Sequence, residues 1–212
     1  MTVTIKQNKK ELAREINKLK ILNSAEELFS KLGYDGASIN MIAQKAELPK
    51  ANVHYYFKNK DTLYEAVLER IISHWNLGLD NVTVDDDPAV VLHNYIKNKV
   101  QLAINQPLQS RLFASEIIRG APYLADYLRK NTRPWVRSKC QLIQQWVDAK
   151  KIDKVDPNHL LFHIWSSTQY YADYQAEVLL VMNKLEYEEH DVAEITQSIS
   201  DIILKGIGLN QS

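Results

Sequence analysis

SINMIAQKAELPKANVHYYFKNKDTL, residues 38–63, is the stretch whose reading decides the fold. Ile39, Ile42, Ala43 and Ala46 recur at helical spacing, and Glu47-Leu48-Pro49 interrupts them. A second short stretch with helical spacing then runs to Tyr55-Tyr56-Phe57. Two helices this short, joined this tightly, cross steeply and form a helix-turn-helix. Ser38 suits the N-cap of the first helix, where a hydroxyl accepts an orphan backbone N–H. Pro49 is expected to open the second, where a missing N–H costs nothing and a fixed φ fits. Val53 and Phe57 lie four apart on the face that packs inward. Lys50, Ala51, Asn52 and His54 are left on the others. Asn59 is expected to cap a further helix that begins at Lys60.

Around the motif the chain reads as helical throughout. Helix one is expected from about Glu11 to Leu32, with Ile21, Leu22, Ala25, Leu28, Phe29 and Leu32 on one face and Gly33 as its stop. Helix four runs from Lys60 to about Leu79. Asp87-Pro88 and Asp156-Pro157 each read as a cap followed by a first helical residue. Pro107 and Gly120 bound a helix that carries Phe113 and Glu116, and Pro134 should kink or split the next one. An eighth helix is expected from Asp156 to about Lys184 and a ninth from Asp191 to Gly206. Alternating β-branched runs are absent. The expectation is an all-α chain: an N-terminal three-helix domain over residues 1–58 and a helical domain over 59–212.

Composition sets limits on function. The chain has 212 residues, 45% of them hydrophobic, and no net charge, which is enough to bury a real core. No run is apolar enough to span a membrane and no signal peptide opens the chain, so a cytoplasmic protein is expected. Cys140 is alone, so neither a disulfide framework nor a cysteine metal site is expected. The neutral total hides an asymmetry. Residues 1–70 carry 12 Lys/Arg against 9 Asp/Glu, and the remainder 14 against 17. A basic arm in front of a helix-turn-helix fits contact with DNA phosphates, although a solvated basic terminus is common in any protein.

The segments ILNSAEELFSKLGYDGASI, NMIAQKAELPKANVHYYF and KNKDTLYEAVL, residues 21–68, closely resemble the N-terminal domain of TetR-type transcriptional repressors. Glu47 stands where that pattern usually has Gly, and Pro49 where it often has Ser. The turn then asks Glu47 for a left-handed conformation, at about 1 kcal/mol or more for a non-glycine residue. The resemblance implies base-facing positions at Lys50, Ala51, Asn52 and His54, with Asn40 assisting. It implies phosphate contacts at Ser38, Tyr55, Tyr56 and Lys60. It also implies a homodimer that grips palindromic operator DNA, since a two-fold dimer sets two recognition helices about one DNA turn apart. Its surface is expected on helices eight and nine, with Tyr174, Val178, Val181, Ile195, Ile199, Ile202 and Ile203 as candidates.

The body resembles a narrower group, the regulators of pyrimidine utilisation, through RLFASEIIRGAPYL, QQWVDAKKIDKVDPNHLLFHIWSSTQYYADY and ISDIILKGI. That resemblance implies uracil or thymine as the effector that releases DNA. Regulators with similar bodies can answer to a different small apolar or aromatic ligand. The residues themselves fit a pocket. Trp165 and Thr168 share an apolar stripe with Leu161 and Ile164, and Gln169 lies beside it. An amide there needs partners, and it complements an imide edge. Trp75 could stack on a flat ring, and Phe113 and Glu116 lie on another partly apolar face. On spacing alone core packing explains the aromatics better than ligand contact, and a satisfied buried amide explains Gln169 equally well.

Glu186, Glu188, Glu189, His190 and Asp191 read as a solvated loop, and His159 and His163 lack the glutamate of a zinc motif, so no metal and no cofactor are expected. No nucleophile elbow, P-loop or glycine-rich dinucleotide turn is present, which argues against an enzyme. The competing class is a helical enzyme or interaction scaffold with an incidental helix-turn-helix. Specific binding to a palindromic duplex separates the two.

Overall fold

The computed structural model describes the backbone of residues 2–209 and the side chains of residues 11–209. The side chains of Lys6, Lys9 and Lys10, which belong to the expected basic arm, lie outside the described residues. The chain divides into two units. One joins residues 1–71 to 115–124, and the other joins 72–114 to 125–212. No strand occurs among the described residues.

The first unit contains α1 (Thr2–Gly36), α2 (Ile39–Lys45), α3 (Lys50–Tyr56) and the start of α4 (Lys60–Asn76). Gly33 breaks the helical run of α1 at φ 72. Ile21, Ala25, Phe29, Ile42, Val53, Leu63, Val67 and Leu68 form the interior. Leu32 stays out of it, 46% exposed, because the break at Gly33 turns the chain there. Ser38 caps α2, its hydroxyl accepting from the Met41 amide at 3.2 Å. Glu47 holds φ 56. Around it the Leu48 amide donates to the Ala43 carbonyl at 3.0 Å and the Glu47 amide to that of Gln44 at 3.1 Å. This is the two-bond closure that satisfies the last carbonyls of a helix. Pro49 is the N-cap of α3 and not its first helical residue, with φ −57 and ψ 143. Asn59 caps α4 by accepting from the Thr62 amide at 2.9 Å.

The second unit takes the rest of α4, a 3-10 turn at Leu77–Leu79, α5 (Pro88–Asn105) and the start of α6 (Pro107–Ile118). It continues with α7 (Ala125–Tyr127), a π-helical turn at Leu128–Thr132, α8 (Arg133–Asp148), α9 (Pro157–Asp173), α10 (Gln175–Val181) and α11 (Glu189–Gly206). Pro134 opens α8 and splits the long run expected there. The eighth expected helix breaks at Tyr174, with φ −111 and ψ 27, into α9 and α10. Asn183, at φ 53, follows the end of α10. The last helix begins two residues before Asp191. Glu188 is its N-cap and Asp191 completes a capping box from inside the first turn.

α5 packs against both α9 and α11. Leu92, Tyr95, Ile96 and Val100 meet Trp146, Leu161, Ile164, Ile195, Ile199 and Leu204 in one buried cluster. Ile195, Ile199 and Ile203 therefore belong to the chain's own interior, and Val178 is buried too. Tyr174, Val181 and Ile202, the other surface candidates, are 54%, 80% and 73% exposed. Ile199→Ala should cost about 2–5 kcal/mol through the cavity it leaves, whereas Val90→Ala, at an exposed position of α5, should stay within about 0.5 kcal/mol. Urea unfolding of both variants checks this.

Candidate DNA interface and effector cavity

α3 presents Lys50, Ala51, His54 and Tyr55 outward because Val53 and Phe57 fix its other side. Ser38, Asn40, Lys50, Ala51, His54 and Tyr55 are exposed, and Asn52, Tyr56 and Lys60 are half-buried. Asn52, Tyr55 and Tyr56 line a groove of about 570 Å³ together with Glu11, Ala13, Arg14 and Asn17 of α1. The Arg14 guanidinium stands 5.2 Å from the centre of the Tyr55 ring. This cation–π pairing holds a positive charge beside the recognition helix. The Lys60 ammonium lies 4.2 Å over the Tyr34 ring. Tyr34 donates a short hydrogen bond to Asp61 and packs 4.7 Å from Tyr123.

The second unit holds a cavity of about 10 Å³, lined by Trp75, Lys99, Leu102, Ala103, Ser110 and Gln169. Phe113 meets the Trp75 ring edge-on at 5.1 Å. The Lys99 ammonium stands 4.8 Å from the centre of the same indole. Lys99 is only 6% exposed, and burial pushes its amine down to about 7, against a partial opposing pull from Asp173. Ser110, 3% exposed, donates to Asp173 Oδ1 at 2.7 Å. Burial in turn raises the Asp173 carboxyl above its ordinary range, with Ser110, Arg111 and Lys99 opposing. The cavity is therefore a small pocket against the Trp75 ring, with the Lys99 amine, the Ser110 hydroxyl and the Gln169 amide on its lining and Asp173 bound to Ser110.

Of the residues the sequence singles out for a ligand, Trp75, Phe113 and Gln169 are gathered here. Thr168 is fully buried one position away, but its hydroxyl donates to the Ile164 carbonyl at 2.8 Å and is satisfied within its own helix. Trp165 is tied elsewhere, its indole N–H donating to the Tyr95 hydroxyl at 2.8 Å. Glu116 belongs to the first unit, 1% exposed, where Oε1 accepts from the Tyr123 amide at 2.7 Å and Oε2 has no partner. Tyr64, in the same cluster, has its phenol pushed well above the ordinary range by burial first and then by Glu116.

Comparison with known proteins decides the family. Residues 21–67 match the family model described as bacterial regulatory proteins, tetR family. Residues 68–210 match that of the YcdC-like protein C-terminal region. The chain belongs to the TetR family of transcriptional regulators. It is 35% identical over 199 residues to the HTH-type transcriptional regulator RutR of Escherichia coli K12, spanning 94% of each chain. Among solved structures, the Bacillus subtilis regulator FadR in complex with stearoyl-CoA superposes with a TM-score of 0.66 at 16% identity, over 90% of this chain and 99% of that one. AibR in complex with isovaleryl coenzyme A and operator DNA gives 0.63 at 15% identity, over 88% and 97%. These two likenesses are of fold. As a TetR-family member the chain is a DNA-binding transcriptional regulator of a class that dimerises and binds small molecules.

Sequence reasoning missed Arg14 and Asn17 beside the recognition helix, and Lys99, Ser110 and Asp173 at the cavity. Lys99 carried a usable signal. It sits on the stripe Leu92, Ile96, Lys99, Ala103 at spacings of four, three and four. Its burial has a measurable consequence in this TetR regulator. Above about pH 7 the folded chain holds the neutral amine, while the unfolded chain keeps the proton up to the ordinary 10.5. The unfolded state thus binds more protons across that window, and stability rises with pH through it. The gain is on the order of 1 kcal/mol per pH unit from this group. Relative to Lys99→Met, the wild type should become steadily more stable from pH 7 to 9.5 in chemical unfolding. A constant difference would show the amine to be solvated.

Proposed function

We propose that the chain is a cytoplasmic repressor of pyrimidine-related genes that leaves operator DNA when uracil or thymine binds. The observation that carries this reading is the meeting of Trp75 and Gln169 on one small cavity beside the buried Lys99 and Ser110, with Phe113 packed on Trp75. The 35% identity to RutR across 94% of the chain supports it, as does the resemblance of the body to pyrimidine-utilisation regulators. No described helix is long and apolar enough to cross a membrane, in keeping with the compartment.

In this reading residues 1–58 are the DNA-binding head, and residues 59–212 bind the effector and dimerise. Lys50, Ala51, Asn52 and His54 face bases, assisted by Asn40. Ser38, Tyr55, Tyr56 and Lys60 hold phosphates. Two copies meet through α9, α10 and α11, where Tyr170, Tyr174, Leu180, Val181 and Ile202 are exposed. A cavity of about 10 Å³ has room for about one water at most, so an entering ring must displace its walls. One wall is Trp75, on the same helix as Lys60 and about 22 Å from it at ~1.5 Å per residue. A ligand changes DNA affinity only by binding two conformations unequally, and the displaced wall supplies that inequality.

Fluorescence anisotropy on a palindromic operator tests the roles. Asn52→Ala should lose about 1–3 kcal/mol of discrimination at one base pair. Lys60→Ala should weaken all sequences alike and reduce the salt slope by about one unit. Gln169→Ala should bind operator normally and no longer release it with uracil. Absence of heat and of thermal shift with every pyrimidine at millimolar concentration would remove the pyrimidine assignment.

A further inference from the structure

We infer that the chamber between the end of α4 and the outer side of α5 is a first binding site for the effector, one that takes neutral hydrogen-bonding rings, and that the ring passes from it into the cavity by way of Leu102. The inference rests on the effector reading above and specifies how that site is reached.

The small cavity is nearly sealed. Of its lining, Trp75, Lys99, Ala103 and Ser110 are buried, and Leu102 and Gln169 are half-buried. Next to it lies a chamber of about 310 Å³, within the range of small-molecule sites. Trp75 and Leu102 line the chamber as well as the cavity, so these two side chains form the partition, and Gln169 takes no part in it. Trp75 is braced by Phe113 at 5.1 Å and by the Lys99 amine at 4.8 Å. Leu102 is half-buried and moves by a change of rotamer. The passage therefore opens at Leu102, and Trp75 shifts once the ring is inside. Gly78 keeps the chamber clear, because a Cβ there would stand 3.0 Å from Cδ2 of Tyr95 and 3.5 Å from the Asn98 amide nitrogen. The chemistry of the lining sets what enters. Asn98, Gln101, Asn105 and Gln106 bring four carboxamides, and among the described residues no Lys, Arg, Asp or Glu lines the chamber. A carboxamide carries donors and an acceptor in one plane, which matches the carbonyl and N–H groups on the edge of a neutral ring. A charged ligand would give up water there and meet no opposite charge. Leu77, 64% exposed at the rim, adds apolar surface for the ring face.

Stopped-flow tryptophan fluorescence of the full-length protein with uracil, 2-pyridone and orotate tests this, on wild type, Gly78→Val, Asn98→Phe and Leu102→Ala. Circular dichroism checks that each variant is folded. The observed rate should level off as uracil is raised through the millimolar range, because the first site fills before the passage is crossed. Gly78→Val and Asn98→Phe, which put bulk into the chamber, should slow association and dissociation in parallel, at least tenfold each, since entry and exit cross the same obstruction. Leu102→Ala should speed both. 2-Pyridone, also a neutral ring, should follow uracil, and an excess of orotate, the same ring with a carboxylate, should leave uracil entry unslowed. If Gly78→Val does not fold, the other two variants decide. A rate that stays linear in uracil throughout, kinetics unaltered in the folded variants, or entry slowed by orotate would each overturn the inference while leaving the pyrimidine reading intact. Binding of 2-pyridone without uracil, with the same kinetic signature, would overturn the pyrimidine reading and keep the port. Silence from both rings at millimolar concentration would overturn both.

Discussion

The helical period of α5 is the constraint from which the second unit follows. Leu92, Tyr95, Ile96, Val100 and Ala103 must face inward for α5 to pack between α9 and α11, and the same period carries Lys99 inward with them. Once the backbone is committed, the lysine is left only 6% exposed. Its cost is met locally by the Trp75 ring on one side and by the Asp173 field on the other. A polar pocket is thus a by-product of packing an apolar helix, held in place by the residues that give the unit its stability.

The first unit works from the opposite principle, with a small interior and a polar exterior shaped by caps. Caps in both units are legible in the sequence because they are local. Ser38, Asn59, Asp87 and Asp156 each act within two or three residues of themselves, so the chain announces them without reference to the fold. Gly33 and Glu47 are legible for the same reason, one as a glycine where a helix stops and the other as a departure inside a recognised turn.

What escaped the sequence is what depends on distant neighbours. The break at Tyr174 has no glycine or proline to signal it, and Asp173 just before it is engaged by Ser110, 63 residues away. Ile195, Ile199 and Ile203 share an apolar stripe with the exposed Ile202 next to them, and periodicity alone cannot say which part of a broad stripe meets the chain's own core. Trp165 and Gln169 are one turn apart on α9, yet Trp165 hydrogen-bonds Tyr95 while Gln169 reaches the cavity. Glu116 was visible as a carboxylate on an apolar face. That it joins the first unit through the Tyr123 amide depends on the chain turning back after Gly120, at φ 89.

The near-absence of free volume at Trp75 sets the scale of any response routed through it. A preformed pocket would register a ligand in proportion to the contacts made. A closed one registers the contacts less the work of prising the walls apart, so its threshold concentration is a property of wall stiffness as much as of chemistry. In the proposed mechanism Ala103 and Leu102, which offer the cavity only apolar side chains, would help set the dose at which the protein answers. On that mechanism, Leu102→Ala would lower the threshold without altering which ligand is recognised.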